Sequence, residues 1–380
     1  MRRKINLGLT GTITEKEFMT TKIPIYKPYL PSKSIEYATD AIQSGWVSSI
    51  GEYIGRATEE LKNRTGSKYV VLVNSGTSAT HLCARVLKEW RPETKRVFLP
   101  SACYIAAYNS LLYDNNDWVL QPVDLDIDTW NMRIPEYEEG DAIMAVHNLG
   151  NIMPLSGIDC PVIEDSCETL FGKPKQKQSL CSSLSFFGNK NMTSGEGGAV
   201  LTDDEDIYKY VSKLMGQGQT KTRYIHDELG YNYRMTNIQA ALLLGQLEEW
   251  DNIYGGKQVL FIKYNEAFKD HANIIPQKVV FDHSRWMYAV RIIGSKSYED
   301  NKRLFDAHGI DTRPMFYSFK HHKHLHFLHN MAARTSANAT KLHKEIVILP
   351  SYPELTNEEL NSITETVKLV SETHRQKGKN

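Results

Sequence analysis

Ser185-Phe186-Phe187-Gly188-Asn189-Lys190, with Gly195-Glu196-Gly197-Gly198 close behind, decides the reading of this chain. Leu184 to Phe187 reads as a buried strand. The lysine that follows stands beside a serine and a glycine-rich turn. Removal from water disfavours an ammonium ion and leaves a nucleophilic amine, the form that a Schiff-base lysine needs. A surface lysine on a loop between two strands fits the segment equally well.

Working outward, Val70 to Val73 is an apolar, β-branched run suited to a buried parallel strand. It ends in Asn74-Ser75-Gly76-Thr77-Ser78-Ala79, after which Thr80 to Leu87 reads as helix. A strand, a glycine turn and a helix start point backbone N–H groups at an anion. The hydroxyls of Thr77 and Ser78 make phosphate the natural guest. The Gly-x-Gly-x-x-Gly and Walker patterns are missing here, which argues against a dinucleotide or a nucleoside triphosphate. Further on, Val162-Ile163 is a short strand that runs into Glu164, Asp165 and Glu168. An acid at the carboxyl end of a parallel strand sits where open α/β sheets bind ligands. Asp165 there suits the protonated nitrogen of a pyridinium ring, or else caps the next helix.

In that order, the phosphate turn, strand-end aspartate and lysine resemble fold type I pyridoxal-phosphate enzymes. More closely, the chain resembles the DegT-type nucleotide-sugar aminotransferases, and among them the perosamine-synthase-like C4 enzymes. The carriers are Ser44-Gly45-Trp46-Val47-Ser48-Ser49, Asn74-Ser75-Gly76-Thr77, Glu164-Asp165-x-x-Glu168, Ser185 to Lys190 with Gly195 to Gly198, and Gly230-Tyr231-Asn232-Tyr233-Arg234-Met235-Thr236-Asn237. The resemblance runs from about Ile23 to about Val370.

It implies a role for each matching residue. Lys190 forms the Schiff base with pyridoxal 5'-phosphate and shuttles protons, and Asp165 pairs with the ring nitrogen. Tyr104 stacks on the ring, while Gly76, Thr77, Ser78 and Ser185 hold the phosphate. Glu168 lies near ring and substrate, and Asn232 reaches the phosphate of a second subunit, so the resemblance implies a homodimer with shared sites. His147 matches the histidine of a His-x-x-Gly motif. Trp46, Arg313 and Tyr317 are substrate candidates, each also readable as ordinary surface or core. Close relatives that dehydrate a 3-hydroxyl carry histidine at the lysine position; Lys190 favours transamination. The implied reaction takes the amino group of L-glutamate, leaving 2-oxoglutarate, with pyridoxamine phosphate as intermediate. The acceptor is a nucleotide-linked 4-keto-6-deoxy sugar. A 3-keto sugar acceptor, or a non-catalytic binding relative, are the alternatives.

The rest of the chain agrees. Its 380 residues allow a large domain and a small one. Forty-five basic residues balance forty-five acidic ones, so no field draws nucleic acid or membrane. Five cysteines, an odd number in apolar or strand-like stretches, suit a reducing compartment, and a cytoplasmic protein is expected. Short strands alternate with helical segments from Tyr69 to Thr202, the pattern of an α/β fold with a largely parallel sheet. The expected division is an N-terminal extension (1–22, with Met19 as a candidate second start), a large domain (23–252), and a smaller α+β domain (253–380). The run His321-His322-Lys323-His324-Leu325-His326-Phe327-Leu328-His329 lacks cysteine or carboxylate at ligand spacing, and no metal site is expected.

Overall fold

The structure, a computed structural model, describes residues 22–114 and 117–377. All of the N-terminal extension but Lys22, Met19 included, lies outside the described residues.

Two helices, α1 (Ser32–Gln43) and α2 (Glu52–Thr65), lead into β1 (Tyr69–Val73), α3 (Gly76–Trp90), β2 (Arg96–Pro100), α4 (Ala106–Leu112), β3 (Val119–Val123) and β4 (Asp141–Val146). A two-residue strand, β5 (Asn151–Ile152), precedes β6 (Val162–Asp165), β7 (Ser182–Ser185) and β8 (Gly198–Thr202). Seven of these strands form one sheet in the order β1-β8-β7-β6-β4-β2-β3. All neighbours are parallel except those of β8, which runs antiparallel to both β7 and β1. Apart from the edge strand β3, the strands are almost wholly buried because helices cover both faces. One face packs apolar side chains of α3 and α5 (Glu205–Met215), the other those of α1, α2 and α6 (Asn237–Leu247). The expected parallel α/β sheet is therefore present, with one reversed strand.

Helix starts follow local chemistry. Ser75 accepts from the Ser78 N–H at the head of α3, Asp204 from two N–H groups at the head of α5, and Thr236 with Gln239 forms a capping box at α6. The 19-residue α7 (Trp250–Phe268) then leaves the sheet. The expected boundary between 252 and 253 falls inside its first turn.

The remaining strands, β9 (Ile274–Pro276), β10 (Asp282–His283), β11 (Ala289–Ile292), β12 (Arg313–Pro314) and β13 (Ile346–Ile348), include a four-stranded antiparallel sheet in the order β12-β13-β11-β9. It packs on α7 and on the helices Tyr298–Ala307 and Asn357–Lys377. Short β10 pairs instead with β5 in a separate two-stranded sheet, tying this region to the segment between β4 and β6. Among the described residues no helix is long and apolar enough to cross a membrane.

Two local readings change. The strand expected over Leu184–Phe187 ends at Ser185, because β8 pairs only as far as Gly198; Phe186 stays buried while Phe187 is half exposed. Glu164 and Asp165 end β6, as expected, but turns follow instead of a helix. Asp165 therefore caps no helix.

Candidate active site

Strands β1, β2, β4, β6 and β7 run the same way, so their carboxyl ends share one edge of the sheet. A cavity of about 720 Å³ opens there, between that edge and residues of the small sheet. The resulting juxtaposition joins residues far apart in sequence: Ser75 to Thr77 after β1, Tyr104 after β2, His147 after β4, Asp165 at the end of β6, Ser185 at the end of β7, then Lys190.

The head of α3 is built for close approach. A Cβ on Gly76 would lie 2.7 Å from Ser185 Cβ, so only glycine lets the end of β7 meet the helix N-terminus. Gly198 is as constrained, since its Cβ would lie 2.4 Å from the Ser75 carbonyl oxygen. Gly76, Thr77 and Ser185 line the cavity. Ser78 does not: its hydroxyl donates to Asn74 Oδ1 at 2.7 Å and lies 2.9 Å from Ser75 Oγ. Its hydroxyl is engaged within the turn, whereas Thr77 and Ser185 face the cavity.

Asp165 is buried, and its Oδ1 accepts the Cys167 N–H at 3.1 Å. Lys190 is anchored through its backbone: its carbonyl accepts the Tyr26 hydroxyl at 2.7 Å, and its N–H donates to the Phe187 carbonyl at 2.9 Å. Its Nζ stands 3.7 Å from Glu168 Oε1 and 4.1 Å from the centroid of the Trp286 ring. Glu168 is buried, and its Oε2 accepts the Leu149 N–H at 2.7 Å. Burial pushes its carboxyl up to about 7, against the opposing pull of the Lys190 ammonium and the Leu149 amide.

His147 lines the cavity, yet both ring nitrogens are engaged inside the protein. Nδ1 accepts the Met153 N–H at 3.3 Å, which leaves the proton on Nε2, 3.0 Å from Glu164 Oε2. Glu164 in turn accepts the Gln176 N–H at 2.8 Å.

Arg313, Tyr317 and the exposed ring of Tyr104 also line the cavity. Arg313 is exposed and already paired with Asp311 at 2.6 Å. Tyr317 lies with its ring 3.7 Å from that of His343. Two candidates stand apart: Trp46 and Asn232 are exposed and do not line this chain's cavity. The histidine run forms 3-10 turns that bury Leu325 and Leu328 between the histidines, and only His322 of the run reaches the cavity. Among the described residues no cluster of histidine, cysteine, aspartate or glutamate is placed to hold a metal ion. All five cysteines are free thiols. Sequence reading missed Tyr26 and Trp286, which bond the carbonyls of Lys190 and of its neighbour Asn189 across 164 and 97 residues. No local pattern signals either.

The model of the DegT/DnrJ/EryC1/StrS aminotransferase family matches residues 28–368. The chain belongs to this family. It is 32% identical over 362 residues to a GDP-perosamine synthase of Escherichia coli O157:H7, covering 91% of this chain and 97% of that one. A GDP-perosamine synthase of Caulobacter vibrioides is 34% identical over 318 residues, covering 78% and 85%. Among solved structures, the aminotransferase PseC of Helicobacter pylori, involved in pseudoaminic acid biosynthesis, superposes with a TM-score of 0.85. That match covers 93% of this chain and 100% of PseC, and at 20% identity it speaks for the fold alone.

The family makes this chain a sugar aminotransferase dependent on pyridoxal phosphate. The residues present fit that cofactor. The glycine cradle at the head of α3, with Thr77 and Ser185, offers N–H and hydroxyl donors to a phosphate. Asp165 offers a buried carboxylate to a ring nitrogen, Tyr104 an aromatic face, and Lys190 an amine, all on one cavity.

Proposed function

We propose that this aminotransferase moves the amino group of L-glutamate to the 4-keto carbon of a nucleotide-linked 4-keto-6-deoxy sugar. Glutamate leaves as 2-oxoglutarate, and the ketone becomes the amine of a 4-amino-4,6-dideoxy sugar nucleotide. The observation that carries the reading is the convergence of Lys190, Asp165 and the α3 cradle on one cavity. Guanosine diphosphate is the favoured nucleotide, supported by the two GDP-perosamine synthases matched over most of their length.

When bound, the cofactor supplies an electron sink for a carbanion next to nitrogen. The chain's residues do the rest. Gly76, Thr77 and Ser185 bind the phosphate at the α3 N-terminus. Asp165 holds the proton on the ring nitrogen, its carboxylate oriented by the Cys167 N–H. Lys190 Nζ would hold the cofactor and would supply the amine that moves a proton at the reacting carbon. Glu168, 3.7 Å from that amine, balances its charge. Arg313 and Tyr317, at the exposed side of the cavity, meet the sugar nucleotide. Asn232 and its outward position serve the phosphate site of a second copy, so the working enzyme is a homodimer. The same reading makes it a soluble protein of the cytoplasm.

The test incubates purified protein, pyridoxal phosphate and glutamate with GDP-, UDP- and dTDP-linked 4-keto-6-deoxy hexoses, with products read by mass spectrometry. The expected result is one sugar converted to its amine, with the GDP-linked substrate preferred. Conversion of a 3-keto sugar alone overturns the position of attack. Absence of any visible cofactor band overturns the mechanism.

A further inference from the structure

A second lysine is buried behind the cavity. Lys257, in α7, has no exposed surface. Its ammonium donates to the Trp286 carbonyl at 2.6 Å and to the Ser351 carbonyl, and it lies 5.4 Å from the centroid of the Tyr26 ring. Among the described residues no carboxylate pairs with it. An apolar side chain of similar length would fill this place without desolvating a charge. Burial alone draws the ammonium down to about 7, so the charge itself does not explain the choice of lysine, although its bonds satisfy two buried carbonyls.

What Lys257 touches does explain it. Trp286 is held at three points: its carbonyl by Lys257, its indole N–H by the Asn189 carbonyl at 2.8 Å, and its ring face by Lys190 Nζ at 4.1 Å. Its backbone also packs against Gly150, where a Cβ would come within 3.3 Å. Tyr26 bonds the Lys190 carbonyl from the other side. The two rings that contact Lys190 thus share one buried support.

We propose that Lys257 is a positioning residue, which through Trp286 and Tyr26 fixes a resting place for the Lys190 ammonium whenever that amine is not bonded to the cofactor. A cation over an indole face is held without a full counter-charge, so Lys190 returns to one place between proton transfers instead of searching solvent. Correct placement of the transferring atom is a large part of such a rate. The inference rests on Lys190 as the catalytic amine.

The test compares wild type, Lys257→Met, Trp286→Phe and the double variant as cofactor-loaded enzymes. The readouts are kcat, KM for glutamate, visible circular dichroism of the bound cofactor, and the rate at which apoprotein takes up pyridoxal phosphate. Each single variant is expected to lower kcat on the order of tenfold, with KM for glutamate within about twofold. Each slows cofactor uptake and alters the dichroism, and the double variant falls no further than the worse single one. Wild-type kcat, uptake and dichroism in folded Lys257→Met overturn the inference, and so does a double variant in which the single losses multiply. If Lys257→Met does not fold, Trp286→Phe decides alone, and wild-type kcat, uptake and dichroism in folded Trp286→Phe overturn the inference. A wild-type protein that forms no visible band fails the functional reading instead, whatever the variants do.

Discussion

Gly76→Ala tests whether the head of α3 is the phosphate cradle. The added methyl carbon would sit 2.7 Å from Ser185 Cβ, 2.9 Å from Ser185 Oγ and 3.2 Å from Cys167 Sγ. Ordinary contact begins near 3.4 Å, so Ser185 or the helix must retreat by roughly 0.7 Å in a well-packed interior. Such overpacking costs about 1–3 kcal/mol. Better helix propensity returns less than about 1 kcal/mol, because the site is the first helical residue. The apoprotein is therefore expected to melt a few degrees lower. Either movement displaces Ser185 from Thr77, so the Kd for pyridoxal phosphate should rise by about tenfold, equivalent to about 1.4 kcal/mol. Calorimetry of the apoprotein and an absorbance titration of the cofactor read the two effects separately. In Gly76→Ala/Ser185→Gly the clashing side chain is gone, so the melting temperature should recover while the affinity, deprived of the Ser185 hydroxyl, should not. Wild-type stability and wild-type affinity in Gly76→Ala would refute the cradle.

Three other perturbations follow from the same geometry. Lys190→Ala should bind the cofactor without its characteristic visible band and show no turnover with any keto sugar; measurable transamination would remove Lys190 from the mechanism. Glu168, raised from 4.5 to about 7, binds its proton more tightly when folded, so its contribution to stability is complete below pH 4.5 and is lost as pH rises to about 7. Relative to Glu168→Gln, apo wild type should lose at most roughly 3 kcal/mol across that window, visible as a pH-dependent gap in melting temperature; a constant gap would contradict the burial argument. Arg313→Ala should raise KM for the sugar nucleotide severalfold and leave KM for glutamate within about twofold, and a change confined to glutamate would reassign the residue.

The sequence made the residues that share the cavity legible because each part carries a local signature. The run Val70 to Val73, the glycine turn and a capped helix start occur together within twenty residues, and each constrains backbone geometry directly. Asp165 was legible for a similar reason, as an acid closing an apolar run. Side-chain direction was not legible. Thr77 and Ser78 are equivalent as text, yet the hydrogen bond to Asn74 Oδ1 turns the Ser78 hydroxyl into the turn. The reversal of β8 was hidden as well, since Ala199 to Leu201 is equally apolar whichever way it runs. Long-range supports were invisible in principle: the Tyr26 hydroxyl on the Lys190 carbonyl spans 164 residues. Periodicity over a dozen residues holds no information about such a contact.

The His147-Asn148-Leu149-Gly150 turn shows how a motif reads differently once its hydrogen bonds are known. Leu149 adopts φ 59° although it is not glycine, a conformation that costs on the order of 1 kcal/mol or more. That conformation accompanies a Leu149 N–H directed at Glu168 Oε2, 2.7 Å away. Gly150, at φ 87°, is required next, because a Cβ there would lie 2.9 Å from the Glu168 carbonyl oxygen. His147 braces the turn from its other end through Glu164 and the Met153 N–H. The strained backbone thus supports a buried carboxylate 3.7 Å from the Lys190 amine. Histidine and glycine in this motif bear on the cavity through the placement of Glu168, and the strained residue is the one whose N–H holds that carboxyl group.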